Sequence, residues 1–271
     1  MKSSLTLWGL LGITAVISTL VFAGGFVYAS KQILYPKAST DSLTRTPATG
    51  TQRTVEETKE KLNIVALGDS LTAGTGDLTG KGYVQRVREK LEQQMGKPVF
   101  LLNNLAIPGY TSVQLLQDLA LKKTKDALAE ADIILFTIGG NDLFEGGEGL
   151  FNGPDQNEFN PEAAEARISP GLERVGQILG NIHDANPNAL VIYTGLYHPF
   201  LDLDPERKGS LVVQKWNDRV FAMMNSYPNA VMVPTYDLFE RNLNKYLYTD
   251  HFHPNQDGYE RIADRIAQIL K

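Results

Sequence analysis

The stretch Ile64-Val65-Ala66-Leu67-Gly68-Asp69-Ser70-Leu71-Thr72 decides how this chain is read. Its apolar run is short, unbroken and closed by glycine. That pattern fits a strand buried on both faces, as in the middle of a parallel sheet. Ser70 follows at the carboxyl end of this strand, before the glycine-rich turn Ala73-Gly74-Thr75-Gly76, which is where α/β proteins place reactive groups. Serine also ends strands and caps helices for ordinary reasons, so the position alone proves little. Two familiar motifs are excluded. Thr72 stands where the nucleophile elbow G-x-S-x-G needs glycine, and Thr79 stands where a dinucleotide fingerprint starting at Gly74 needs its third glycine.

Outward from this strand the pattern repeats. Val99–Leu102, Ile133–Ile138, Leu190–Tyr193 and Val231–Val233 read as further buried strands. Between them run apolar stripes at helical spacing: Val84, Val87, Leu91 and Met95; Val113, Leu116 and Ala120; Leu172, Val175, Leu179 and Ile182; Val212, Trp216, Val220 and Met223; Tyr259, Ile262, Ile266 and Ile269. Strands alternating with helices predict a three-layer α/β/α domain around a five-stranded parallel sheet. Function should then gather at the carboxyl ends of the strands.

Three more segments stand at or near such positions. Asn103–Thr111 carries Pro108-Gly109, and Gly109 would let a backbone N–H approach a ligand closely. Gly139-Gly140-Asn141-Asp142 presents an amide side chain after the third strand, although it also makes a serviceable turn. Thr249-Asp250-His251-Phe252-His253-Pro254 precedes the last helix. His251 and His253 form a poor metal pair, because no cysteine or clustered acid accompanies them. Asp250 and His253, three residues apart, permit instead a carboxylate that fixes the imidazole tautomer.

The 271 residues include no cysteine, which excludes disulfide scaffolds, thiolate metal sites, a cysteine nucleophile and a lipidated cysteine. Residues 1–60 hold 6 basic and 4 acidic side chains, leaving 20 and 27 for residues 61–271. The remainder is thus at −7, against −5 for the whole chain, and a nucleic-acid partner is not expected. Leu5 to Ala29 has no charged residue and is long enough to span a bilayer. Val27-Tyr28-Ala29 also fits a signal-peptide cleavage site. Residues 1–29 are therefore expected to be a membrane anchor or a signal peptide. Residues 30–60, rich in Ser and Thr from Ala38 onward, read as a polar tether, and 61–271 as the folded domain.

Taken together, the segments around Ser70, Gly109, Asn141 and His253 resemble the four blocks of the GDSL-type esterases, or SGNH hydrolases, in order and across the whole of residues 62–271. The resemblance implies a flavodoxin-like sheet and ester hydrolysis without metal or organic cofactor. It implies Ser70 as nucleophile, His253 as base and Asp250 as its orienting carboxylate. Ser70 and Gly109 backbone N–H groups and the Asn141 amide would form the oxyanion hole. The insertion after Asn141, with Leu143, Phe144, Leu150 and Phe151, is expected either to wall an acyl chain or to pin a long loop to the domain. His198, in Tyr197-His198-Pro199-Phe200, stands under the same pair of readings. Lysophospholipase-like hydrolysis of a lysophospholipid or other fatty-acyl ester outside the cytoplasmic membrane leads, and deacetylation of a wall polysaccharide follows. An inactive surface binding module on the same fold is the alternative of another class. A monomer is assumed.

Overall fold

The computed structural model describes residues 2–34, 59–145, 151–152, 158–159 and 161–270. The five apolar runs become the strands of one sheet: β1 (Leu62–Gly68), β2 (Val99–Asn104), β3 (Ile133–Thr137), β6 (Leu190–Thr194) and β7 (Ala230–Val233). Their order is β2-β1-β3-β6-β7, and every neighbouring pair is parallel. The order reverses between β1 and β3, so a crevice opens at the carboxyl end of β1. Inside the insertion, β4 (Phe151–Asn152) and β5 (Glu158–Phe159) pair antiparallel as a separate ribbon.

Alternation along the strands feeds two cores. Val65, Leu67, Ile134, Phe136 and Tyr193 face one layer, which contains α4 (Ser112–Leu119), α7 (Pro161–Ala185) and α8 (Lys208–Met224). Ile64, Ala66, Ile133, Leu135 and Ile192 face the other, which contains α3 (Gly82–Met95) and α11 (Gln256–Ile269). One expected stripe is displaced. In α4 the buried residues are Ser112, Leu115 and Leu119, while Val113 is exposed. The inward residue of the first turn is polar, so apolar periodicity places the stripe one residue too late.

The chain divides into two compact units, residues 1–52 and 53–271. In the first, helix α1 (Lys2–Leu34) runs past Ala29 to Leu34, beyond the expected start of the tether. Residues 35–58 of that tether lie outside the described residues. Among the described residues no helix is long and apolar enough to cross a membrane. The membrane segment expected over residues 5–29 is therefore a reading of the sequence alone.

Two buried polar clusters position the end of β1. Asp69 precedes α2 (Ser70–Ala73), accepts from the Leu71 N–H at 3.1 Å and takes the Thr137 hydroxyl proton at 2.6 Å. Thr72 Oγ1 lies 2.8 Å from both Thr137 Oγ1 and the Tyr83 hydroxyl. Each hydroxyl has a single proton, so the carboxylate orients the whole row: Tyr83 donates to Thr72, Thr72 to Thr137, and Thr137 to Asp69. Burial pushes the Asp69 carboxyl up to about 6, against the pull of the Thr137 and Leu71 hydrogen bonds.

The second cluster joins α3 to α11. Buried Asp77 accepts from the Gly82 N–H at 2.9 Å and is paired with Arg86. Arg86 Nε reaches Glu260 at 3.0 Å, and Lys90 bridges Glu260 and Asp264 at 2.5 and 2.8 Å. Burial opposes ionisation of Asp77, but hydrogen bonds from Thr79, Arg86 and Gly82 together hold its carboxyl below the usual range.

Removing Arg86 would strand a buried carboxylate. Arg86→Ala is expected to cost about 3–5 kcal/mol, read as a lower urea midpoint at pH 7; an unchanged midpoint would refute the pairing. For Asp69 the sign runs the other way from the usual carboxylate. Its folded pKa exceeds the unfolded 3.8, so the folded state holds the extra proton between 3.8 and about 6. Stability of the parent relative to Asp69→Asn should fall as pH rises through that window. A difference independent of pH would show that Asp69 titrates normally.

Candidate active site

Ser70 opens the single turn α2 directly after β1, held there by the Asp69 cap. Being first in a helical turn, its N–H has no partner one turn earlier and is free to face a ligand. The turn closes at Gly74 in the left-handed conformation, with φ 87°. His253 arrives from the far end of the sequence on the loop between α10 (Leu243–Tyr246) and α11. Tyr248 N–H donates to His253 O at 2.7 Å and Asn255 N–H to Tyr246 O at 2.8 Å, which closes that loop on itself. Asp250 Oδ1 accepts from the N–H groups of Phe252 and His253, both at 3.0 Å. Tyr197 OH donates to Phe252 O at 2.6 Å and ties the loop to the end of β6.

These two segments meet across 183 residues of sequence: Ser70 Oγ lies 2.8 Å from His253 Nε2. On the other side of the ring, His253 Nδ1 lies 2.7 Å from Asp250 Oδ2. Burial works against the Asp250 charge, but the hydrogen bonds from the His253 ring and from the His253 and Phe252 amides bring its carboxyl below the ordinary value. An ionised carboxylate only accepts, so Nδ1 carries the proton and Nε2 is left to accept from the serine hydroxyl.

The approach of the two segments depends on Gly76. A Cβ there would stand 2.5 Å from Pro254 O and 3.0 Å from His253 Cβ, and its φ of +92° disfavours any side chain. Tyr259 OH adds a 2.7 Å bond to Thr75 O. Gly76 reads in sequence only as part of a glycine-rich turn and Tyr259 only as part of an apolar stripe, because these contacts are made after folding.

Gly109 and Asn141 come from the adjacent strand ends. Ile107-Pro108-Gly109-Tyr110 is a β-turn closed by Tyr110 N–H to Ile107 O at 3.2 Å. With φ +84° at Gly109 after proline, it has the type II form that requires glycine there. Ile107 N–H donates to Gly68 O at 3.0 Å, which fastens the turn to the end of β1. Asn141 lies in α6 (Gly140–Phe144), and its Nδ2 donates to Tyr110 O at 2.8 Å. That bond uses one amide proton and orients the second. Gly139, at φ +115°, leaves room for Trp216, whose ring would lie 2.2 Å from a Cβ.

Three of the residues read as either a substrate wall or packing are buried. Leu143, Phe144 and His198 are 0%, 1% and 2% exposed, so they are core and line no open surface. Phe144 stacks on His198 with centroids 5.8 Å apart and meets Phe200 edge-on at 5.7 Å. His198 Nε2 sits 3.1 Å from Asp204, whose carboxylate accepts from the Lys208 and Gly209 N–H groups at the start of α8. Burial lowers the His198 pKa despite Asp204, so this imidazole is neutral and belongs to a helix cap. Phe151 pairs with Phe159 through the backbone, and Leu150 lies outside the described residues. Half-buried Phe252, 5.0 Å from the His253 ring, is the aromatic side chain found beside the histidine.

Among the described residues no group of three or more His, Cys, Asp or Glu side chains is arranged to hold a metal. A cavity of about 1120 Å³ lies at the opposite, amino-terminal ends of the strands, around Leu62, Asn63, Asp132 and Asn186. Its Asn63 and Asn186 amides already donate to the carbonyls of Glu130, Leu128 and Ala131.

Residues 66–261 match the GDSL-like lipase/acylhydrolase family. YpmR of Bacillus subtilis (strain 168) is 34% identical over 231 residues, covering 84% of this chain and 89% of YpmR. The spore germination lipase LipC of Bacillus licheniformis is 29% identical over 211 residues, covering 76% of this chain and 94% of LipC. Among solved structures, the lipase Lip_vut3 from a goat rumen metagenome superposes with a TM-score of 0.67 at 26% identity, covering 77% of this chain and 97% of that one. The chain belongs to the GDSL-like lipase/acylhydrolase family and is a carboxylic ester hydrolase.

Proposed function

We propose that this protein cleaves fatty-acyl esters through a Ser70–His253–Asp250 triad. One observation carries the proposal: the unbroken hydrogen-bonded row from Ser70 Oγ through His253 to Asp250, at 2.8 and 2.7 Å. Ser70 Oγ attacks the ester carbonyl carbon as its proton passes to His253 Nε2. The resulting oxyanion is stabilised by the N–H groups of Ser70 and Gly109 and by the second amide proton of Asn141. Collapse of the intermediate breaks the carbon–oxygen bond, and Nε2 returns the proton to the leaving alcohol. Water then attacks the acyl-Ser70 carbonyl, again giving its proton to Nε2; collapse breaks the bond from the acyl carbon to Ser70 Oγ, Nε2 returns that proton to Oγ, and the carboxylic acid departs. Asp250 stays ionised throughout and supports the transient imidazolium.

The lipase activity of LipC and Lip_vut3 favours a lipid or other long-chain acyl ester over an acetylated sugar. Action outside the cytoplasmic membrane is part of the same proposal. Its support is the charge-free run from Leu5 to Ala29 and the exposed Trp8, Leu20, Phe22 and Phe26 on α1. Residues 1–29 would be the anchor or leader, the polar segment that follows a tether, and residues 61–271 the catalytic domain.

With a series of p-nitrophenyl esters, turnover is expected to persist or rise from short to long acyl chains and to vanish in Ser70→Ala and His253→Ala. A strong preference for acetyl groups would replace the lipid reading, and full activity in Ser70→Ala would end the triad reading. Asn141→Ala should lower kcat by about 10²–10³ with little change in KM, because the oxyanion exists only along the reaction path. An unchanged kcat would remove Asn141 from the oxyanion hole.

A further inference from the structure

The Pro108-Gly109 turn is exposed, and nothing lies within 4 Å of where a Gly109 Cβ would be. Packing therefore does not aim the Gly109 N–H; the anchors on either side of the turn must do so. Upstream, the anchor is the Ile107–Gly68 bond. Downstream, two consecutive residues of α6 take hold of the chain. Asn141 binds Tyr110 O, and Asp142 binds Ser112 twice: its Oδ2 accepts from Ser112 N–H at 2.8 Å and its Oδ1 from Ser112 Oγ at 2.5 Å.

Asp142 is itself held from behind. Arg174 of α7 donates from Nε to Ser112 Oγ at 2.6 Å and from Nη2 to Asp142 Oδ1 at 3.2 Å. Arginine can only donate, so the Ser112 hydroxyl accepts from Arg174 and must pass its own proton to Asp142. The three groups form a closed triangle in which Arg174 donates to both of the others and the Asp142 carboxylate accepts from both. The Asp142 side chain is 2% exposed and that of Arg174 30%, so the carboxylate is buried against a partner that reaches in from the surface. Gly171, one turn before Arg174, brings α7 close enough: a Cβ there would stand 2.7 Å from the Trp216 ring and 3.8 Å from Asp142 Cβ.

We propose that Asp142 and Arg174 are positioning residues of the oxyanion hole, fixing the Gly109 N–H through Ser112 while the same helical turn presents Asn141. The two donors are thereby set by one rigid piece, α6, and Arg174 locks that piece to the loop. This inference rests on the acyl-transfer reading of Ser70. It assigns a role in the reaction to Arg174, which belongs to no block of the sequence and touches none of Ser70, His253 or Asp250.

The test uses the full chain and counts working sites by titrating Ser70 with a fluorophosphonate, so that misfolded protein does not enter the rate. Arg174→Gln is expected to lower kcat per titrated site by about tenfold or more, since misplacing a group by 1 Å can cost ~10²-fold. KM should stay within about twofold, because ground-state binding is untouched. Affinity for a trifluoromethyl ketone, which forms a tetrahedral oxyanion on Ser70, should fall in parallel with kcat. Ser112→Ala, which keeps the N–H bond but loses the hydroxyl link, should show the same pattern more weakly; it serves if Arg174→Gln does not fold. A purely structural role would lower the melting temperature and the number of titrated sites while leaving kcat per site and ketone affinity unchanged, and that result would overturn the inference. If the parent protein is not titrated at Ser70, the acyl-transfer reading itself fails, which is a separate outcome.

Discussion

The close approach of Gly76 to Pro254 and His253 is the contact on which the rest of the site depends. A parallel sheet places its strand ends side by side, yet it does not bring the start of the domain onto the loop before its last helix. Here that happens because α3 and α11 pack on the same face of the sheet and are joined by Arg86, Glu260, Lys90 and Asp264. Once the helices are joined, the turns that precede them are brought together. The Ser70 turn can approach the histidine loop only because Gly76 has no side chain. The 2.8 Å bond between Ser70 and His253 follows from this packing.

A second regularity concerns buried carboxylates. Asp69, Asp77, Asp142 and Asp204 are each less than one-tenth exposed. Each accepts a backbone N–H at the beginning of a helix: Leu71 in α2, Gly82 in α3, Ser112 in α4, and Lys208 and Gly209 in α8. Helix starts offer amides without partners and a favourable potential for negative charge. These residues anchor the starts of helices around the crevice, and part of the domain's excess of acid is thus structural. Asp69 differs from Asp77 and Asp142 in having no cationic hydrogen-bond partner. Its partners are a hydroxyl and an amide, and burial raises its pKa to about 6.

The sheet was legible because Ile64–Leu67 in β1 and Ile133–Phe136 in β3 are unbroken apolar runs, as suits strands buried on both faces. The Ser70, Gly109 and Asn141 segments were legible as loops after strands, the His253 segment as the loop before the last helix, and the four together through their resemblance to the GDSL-type blocks. What could not be read depends on side chains whose role arises after folding. Ser112 is a buried polar residue at an inward position, so a stripe drawn through Val113 misses it. Leu143, Phe144 and His198 look like an apolar rim in sequence, but α6 is one turn long and directs the first two into the core, while Asp204 draws in the third. Gly76, Tyr197, Tyr259 and Arg174 matter through partners far away in the chain, and the local patterns that hold the first three do not point to those partners.

The central claim is that Ser70 is a nucleophile because His253 accepts its proton. Covalent capture tests this most directly. After incubation of the full chain with a fluorophosphonate, intact mass and peptide mapping should find one adduct, on the peptide containing Ser70. Labelling should be absent in Ser70→Ala and slowed by orders of magnitude in His253→Ala. An adduct on another residue, or labelling of Ser70 at the parent rate without His253, would contradict the account.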